Sequence, residues 1–289
     1  MNKYIITTDT TSDLPDDYLQ QHNIKLLPLY YNFDGTVYGD KVFLEPKEFY
    51  DKMRKGAIPT TMAVNPEVAK NVFSTLLDEG YDVLHIAFSS ALSGSCSVAA
   101  TVARELTDER PGTKIIVIDS LSASLGEGLL VHKAVKLMEA GKTIEETAKW
   151  LEDNKLNLCH MFTVDDLHHL HRGGRVSKAT AIIGTLINVK PVLHVDNEGH
   201  LVPLNNVRGR KKALLSLVDQ MEESIKNYNG KNDTIFISHG DSYEDAEYVA
   251  NQIKERFGIK EVLINFVSPT IGAHSGPGTI ALFFMGNTR

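Results

Sequence analysis

The sequence predicts an α/β protein in two domains: a mostly parallel α/β sheet domain over residues 1–158 and an α+β domain over residues 159–289. Two observations carry this reading. In the first part, apolar runs rich in β-branched residues alternate with helix-length amphipathic segments, the pattern of strands joined through helices. In the second part the rhythm changes to a hairpin signal, a long helix and strands without that regular alternation.

Segment 4–8 (Tyr-Ile-Ile-Thr-Thr) reads as the first strand, ended by Asp9. A short helix opens at 14–19 with Pro15 near its start, where the missing N–H is harmless. Segment 24–31 reads as a strand, and Asp34-Gly35 as a hairpin turn. Segments 46–55 and 66–77, each opened by a proline, read as amphipathic helices. Residues 82–88 form a buried strand and 98–106 the helix after it. Residues 114–119 repeat the strand signal, followed by helices at 126–138 and 143–152. Segment 165–171 looks helical and stops at Gly173-Gly174. Segments 190–195 and 200–204 flank Asn197-Glu198-Gly199 as a hairpin. A long helix at 209–228, a strand at 234–239, a helix at 243–257 and strands at 261–265 and 280–284 complete the chain.

With 289 residues, 42% of them hydrophobic and 23% charged, the chain has the make-up of an ordinary globular protein with a sizeable core. A net charge of −7 argues against nucleic-acid binding, which calls for a basic face. Cys96 and Cys159 are too few for a disulfide framework and lack metal-ligand spacing. The first eight residues are too polar for a signal peptide, and no apolar run approaches the ~20 residues of a membrane span. The expectation is a cytoplasmic monomer without cofactor or metal.

The chemistry gathers in loops rich in Ser, Thr and Gly. The densest, Ser89 to Ser97, lies between a buried strand and a helix. That geometry aims helix-terminal N–H groups and hydroxyls at one spot, which suits a carboxylate or a single phosphate. No Lys or Arg lies in the turn. Standing alone, such a turn is better explained as a plain helix cap. Four further loops, 8–15, 59–66, 119–126 and 271–279, share the composition. Three of the loops follow strands, and in an open parallel sheet strand ends line one crevice.

Together these loops resemble the DegV family of bacterial fatty-acid-binding proteins. The resemblance spans residues 4–284 and rests on TDTTSDLP at 8–15, SSALSGS at 89–95, Asp119-Ser120, Arg-Gly-Gly-Arg at 172–175 and IGAHSGPG at 271–278. It implies a two-domain fold with one long-chain fatty acid buried between the domains. It also implies a role in phospholipid metabolism, with the carboxylate offered to a separate fatty acid kinase that makes an acyl-phosphate. Thr61, Ser93 and Gly94 would bind the carboxylate, with His274 beside them. Ser122, Arg172, Arg175 and Ser275 would line the pocket or close over it. Where the family carries a polar run after the binding Thr, this chain has Met62-Ala63-Val64, and His169 stands where an aromatic is usual.

Other readings compete for the same residues. A serine hydrolase would use Ser93 as nucleophile and His274 as base, oriented by Asp9 or Asp119, but Leu92-Ser93-Gly94 lacks the Gly-x-Ser-x-Gly elbow. A phosphate or sugar sensor would call for basic residues in the loops. Asp165 and His169 share a helix face as metal ligands would, although a solvated face accounts for them. Asp9 is expected to accept backbone N–H groups in its own turn, Asp13 to cap the next helix, and His239-Gly240-Asp241 to form a capping turn. Arg208, Lys211 and Lys212 belong to the densest basic cluster of an acidic chain and are candidates for kinase docking.

Overall fold

A computed structural model describes residues 3–177, 188–287 and 289. Four strands, β1 (Tyr4–Asp9), β2 (Lys25–Leu27), β6 (Asp82–Ala87) and β7 (Ile115–Asp119), form a parallel sheet in the order β2-β1-β6-β7. Neighbouring residues on a strand point to opposite faces, and both faces are buried. Ile5 and Val83 pack with Phe73 of α3 (Pro66–Asp78) and with Val102 and Leu106 of α4 (Ser95–Glu109). Ile6 and Leu84 pack with α5 (Leu125–Glu139) and α6 (Ile144–Asn154) on the other side. The short helix α1 (Asp16–Gln21) joins that second layer through Leu19.

The second sheet has six strands in the order β10-β9-β8-β13-β11-β12. These are β8 (Leu158–Thr163), β9 (Val189–Val195), β10 (Leu201–Arg208), β11 (Thr234–His239), β12 (Glu261–Phe266) and β13 (Ile280–Met285). All neighbours are antiparallel except β11 and β12. Helices α8 (Arg210–Ile225) and α9 (Tyr243–Phe257) cover one face. The other face packs Phe162, Phe236 and Phe283 against α5, so that helix lies between the two sheets. Its residues from Leu125 to Val131 are buried on every side, as a helix with no water-facing stripe must be.

A small antiparallel sheet, β4-β3-β5, joins β3 (Tyr30–Phe33), β4 (Thr36–Tyr38) and β5 (Thr60–Met62). With α2 (Pro46–Arg54) it encloses Tyr31, Phe33, Phe49 and Tyr50. The Tyr50 hydroxyl donates to the Val267 carbonyl at 2.8 Å and so ties this module to the second sheet. Helices α7 (Leu167–Arg172) and α10 (Pro269–Ser275) pack on each other.

Several expectations are corrected. Segment 24–31 is two strands in different sheets, interrupted at Pro28-Leu29, because proline has no N–H to continue a ladder. Strands β8 and β5 lie where the sequence pattern predicts no strand. The Gly-rich stretch after residue 271 is helical through Ser275, and α4 begins at Ser95, three residues earlier than its apolar run suggests. Asp13 does not cap α1, whose N-cap is Pro15; it is buried in a left-handed conformation (φ 53°) and its carboxyl accepts from the Ser124 hydroxyl. Asp9 accepts the N–H of Phe88, across the sheet, at 2.8 Å rather than an N–H of its own turn. Asp165 pairs with Lys190 at 2.6 Å and with Arg210, and among the described residues no group of His, Cys, Asp and Glu is placed to hold a metal.

Candidate ligand-binding site

The loop after β6 is suspended by carboxylates at the ends of the flanking strands. Asp9 Oδ2 holds Phe88 N–H, while Asp119 Oδ1 accepts from Ser90 N–H at 3.1 Å and from Leu121 N–H at 3.0 Å. Beneath the loop, Glu127 accepts from the Thr8 hydroxyl at 2.7 Å and the Thr11 hydroxyl at 3.0 Å. Burial raises the carboxyls of Asp9 and Glu127 above the usual range.

At the loop's end Gly94 is the N-cap of α4, and Ser93 stands just before it. Ser93 Oγ accepts the N–H of Ser95 at 3.2 Å and shares a 2.9 Å bond with Ser95 Oγ. Ser95 Oγ in turn accepts the N–H of Val64 at 3.2 Å, which fastens the segment after β5 to this loop. Strand β5 thereby brings up Thr61, and α10 brings His274 from the second domain. Thr61 Oγ1 and His274 Nε2 share a 2.8 Å hydrogen bond. Burial, with the nearby Arg175 charge, lowers His274 to about 4, so its ring is neutral near pH 7. Arg175 itself donates to the Leu92 carbonyl at 3.1 and 2.8 Å and to the Gly173 carbonyl.

Thr61, Ser93, Gly94, Arg175 and His274 form one end of a cavity of about 210 Å³. Its walls are mostly apolar and come from both domains, including Phe88, Leu92, Ile271, Phe162, Ala281 and Phe283. The arrangement offers hydroxyls, the first turn of a helix and one neutral imidazole at the mouth of a greasy interior. That is the solvation an amphiphilic carboxylic acid needs.

Of the sequence candidates, Thr61, Ser93, Gly94, His274, Arg175 and Ser275 line this cavity, and the Ser275 hydroxyl is buried without a hydrogen-bond partner among the described residues. Ser122 lies outside the lining: its hydroxyl donates to the Ser120 carbonyl at 3.0 Å and accepts from Arg289 at 3.2 Å. Arg172 is exposed, as are Arg208, Lys211 and Lys212. The geometry does not favour the hydrolase. Ser93 is bonded to Ser95 and not to His274, whose Nε2 is taken by Thr61. Asp9 and Asp119 are engaged with backbone N–H groups. The sequence pattern does not mark Ser95, Ser124 or His160; β8, which carries His160, is buried at every position and so shows no alternation.

A family model described as "uncharacterised protein, DegV family" matches residues 3–287. A DegV domain-containing protein of Clostridium perfringens is 42% identical over 291 residues, covering 100% of this chain and 99% of its own. A DegV family protein from Thermus thermophilus, whose structure is described by its fatty acid binding, is 32% identical with a TM-score of 0.86, over 99% of this chain and 100% of its own. DegV from Bacillus subtilis, described as a fatty acid binding protein, is 30% identical with a TM-score of 0.86 over the same shares.

Proposed function

The chain belongs to the DegV family, and from that premise we propose that it binds a single long-chain fatty acid, with the carboxylate at Thr61, Ser93 and Gly94, beside His274, and the acyl chain in the cavity between the domains. The observation that carries the reading is the joining of the Thr61–His274 pair and the Ser93 turn at one end of a mostly apolar cavity. Hydrogen bonds to a carboxylate contribute about 1.5–3 kcal/mol each. Each buried methylene contributes about 0.8 kcal/mol, so a C16 tail supplies on the order of 10 kcal/mol before ordering costs. The polar end therefore sets orientation and the cavity sets affinity.

In this reading the protein is a lipid carrier and not itself an enzyme. It presents the carboxylate to a separate fatty acid kinase for acyl-phosphate formation. The exposed Arg208, Lys211 and Lys212, with Arg172, give an acidic chain a local basic face for that encounter. Denaturing extraction followed by mass spectrometry tests the binding. One long-chain fatty acid per protein is expected; a lipid-free preparation that also fails to bind added palmitate or oleate refutes the reading.

A further inference from the structure

The far end of the cavity is built from a regular pattern. Thr279, Ala281 and Phe283, alternate residues along β13 and its approach, line it, as do Phe162 and His160 of β8. In register, Ala281 faces Phe162 and Phe283 faces His160. The next pair, Met285 and Leu158, is no longer cavity wall but solid core, 1% and 0% exposed. Along β8 and β13 the lining thus ends at the His160–Phe283 pair, whose rings meet edge to face with centroids 5.5 Å apart. Behind them stands Gly126 of α5. A Cβ there would come within 2.6 Å of His160 Nε2 and 2.8 Å of Phe283 Cδ1, so both rings rest directly on the helix backbone.

The start of this wall adjoins the carboxylate end. The Thr279 hydroxyl donates to the Ser275 carbonyl at 3.1 Å, one residue from His274. From Thr279 to Phe283 is four strand residues, about 13 Å at roughly 3.3 Å each. A chain anchored at Thr61 and Ser93 that runs along β13 therefore meets His160 end-on.

We propose that His160, backed by Gly126, is the specificity-determining wall that sets the longest acyl chain this protein accepts. The inference rests on the fatty-acid reading above. Stability alone is a poor reason for an imidazole here: the residue is 2% exposed and its Nε2 has no hydrogen-bond partner among the described residues, which is costly in an apolar setting. Its bulk and fixed orientation matter instead. Acids that stop short of the ring gain about fourfold in affinity per added methylene, and those that reach it gain nothing further or lose.

The test is the affinity of purified, delipidated protein for saturated fatty acids from C12 to C20, measured by displacement of a fluorescent fatty acid. For the wild type, affinity should climb and then break at one chain length. His160→Ala should move the break to acids longer by about two carbons and improve their binding on the order of tenfold. Gly126→Ala should move it to shorter acids, because the new methyl drives the ring into the cavity. His160→Leu keeps a wall without the polar ring and should leave the break within one carbon of the wild type, which separates bulk from loss of fold. A His160→Ala profile that superimposes on the wild type, with binding intact, overturns the wall and leaves the binding reading standing. Failure of the wild type to bind any acid overturns both.

Discussion

Thr61 and His274, 213 positions apart in the chain, share a 2.8 Å hydrogen bond that closes one end of the cavity from both domains. Neither side chain reaches the other through local sequence. One rides a three-residue edge strand and the other the last turn of a short helix. The pair therefore ties the two halves of the chain together at the cavity.

Replacing the hydroxyls tests the grip on the carboxylate. Thr61→Val and Ser93→Ala should each weaken fatty-acid binding by about tenfold or more, and the double variant further, with the fold intact. Calorimetric titration with palmitate, alongside circular dichroism, measures both. Wild-type affinity in both single variants would remove these residues from the site.

Gly173 is needed for space and not for backbone freedom, since its φ is not positive. A Cβ at this position would lie 2.0 Å from His274 Nδ1. Gly173→Ala should displace the imidazole, break its bond to Thr61 and reduce affinity about as much as Thr61→Val does. Combining the two changes should cost little more than either alone; a fully additive double variant contradicts the shared mechanism.

Asp13 makes stability depend on pH. Burial raises its carboxyl from 3.8 to about 7, so the folded protein keeps a proton that the unfolded chain releases. The contribution is complete below about pH 4 and is lost as pH rises through 7. Asp13→Asn cannot ionise. Its melting temperature relative to the wild type should therefore rise between about pH 4 and pH 7 and level off above. A difference that stays constant across that range would show that the carboxyl does not titrate there.

Arg289 acts as a clasp. Its guanidinium donates to the carbonyls of Ser120, Leu121, Lys155, Leu158 and Asp196, which belong to both domains. Arg289→Ala leaves these acceptors to find other partners and should cost about 2–4 kcal/mol in urea unfolding. Lysine restores the charge without the planar fork and should recover only part of that.

Charge reversal at Arg208 or Lys211 should leave fatty-acid binding unchanged and slow phosphate transfer by a cognate fatty acid kinase. The slowing should change with ionic strength, since exposed charges are screened by salt. Equal phosphorylation rates for preloaded wild type and variants would dismiss the docking role.

The parallel sheet was legible because its strands are buried on both faces and read as unbroken apolar runs, as Ile5-Ile6 and Val83-Leu84 do. Strand β8 escaped because Cys159, His160 and Thr163 dilute the apolar signal where the rhythm of the chain changes. That Thr61, Ser93 and His274 line one cavity was readable through the family motifs and the hydroxyl-rich loops. The wall formed by His160, Phe283 and Gly126 was not, because it exists only in the register of β8 against β13 and the seating of α5 upon both. Asp13 misled because acidic residues before helices usually cap them, whereas here a left-handed turn points the carboxyl inward toward Ser124.

Helix α5 contributes core to both sheets at once and has few solvent-facing positions of its own along its first two turns. Neither half of the chain can keep its interior if the other melts, because each would expose the apolar side of the same helix. The molecule should accordingly denature as one cooperative unit, with calorimetric and van't Hoff enthalpies in agreement, and a cut between the halves should yield no fragment that folds by itself.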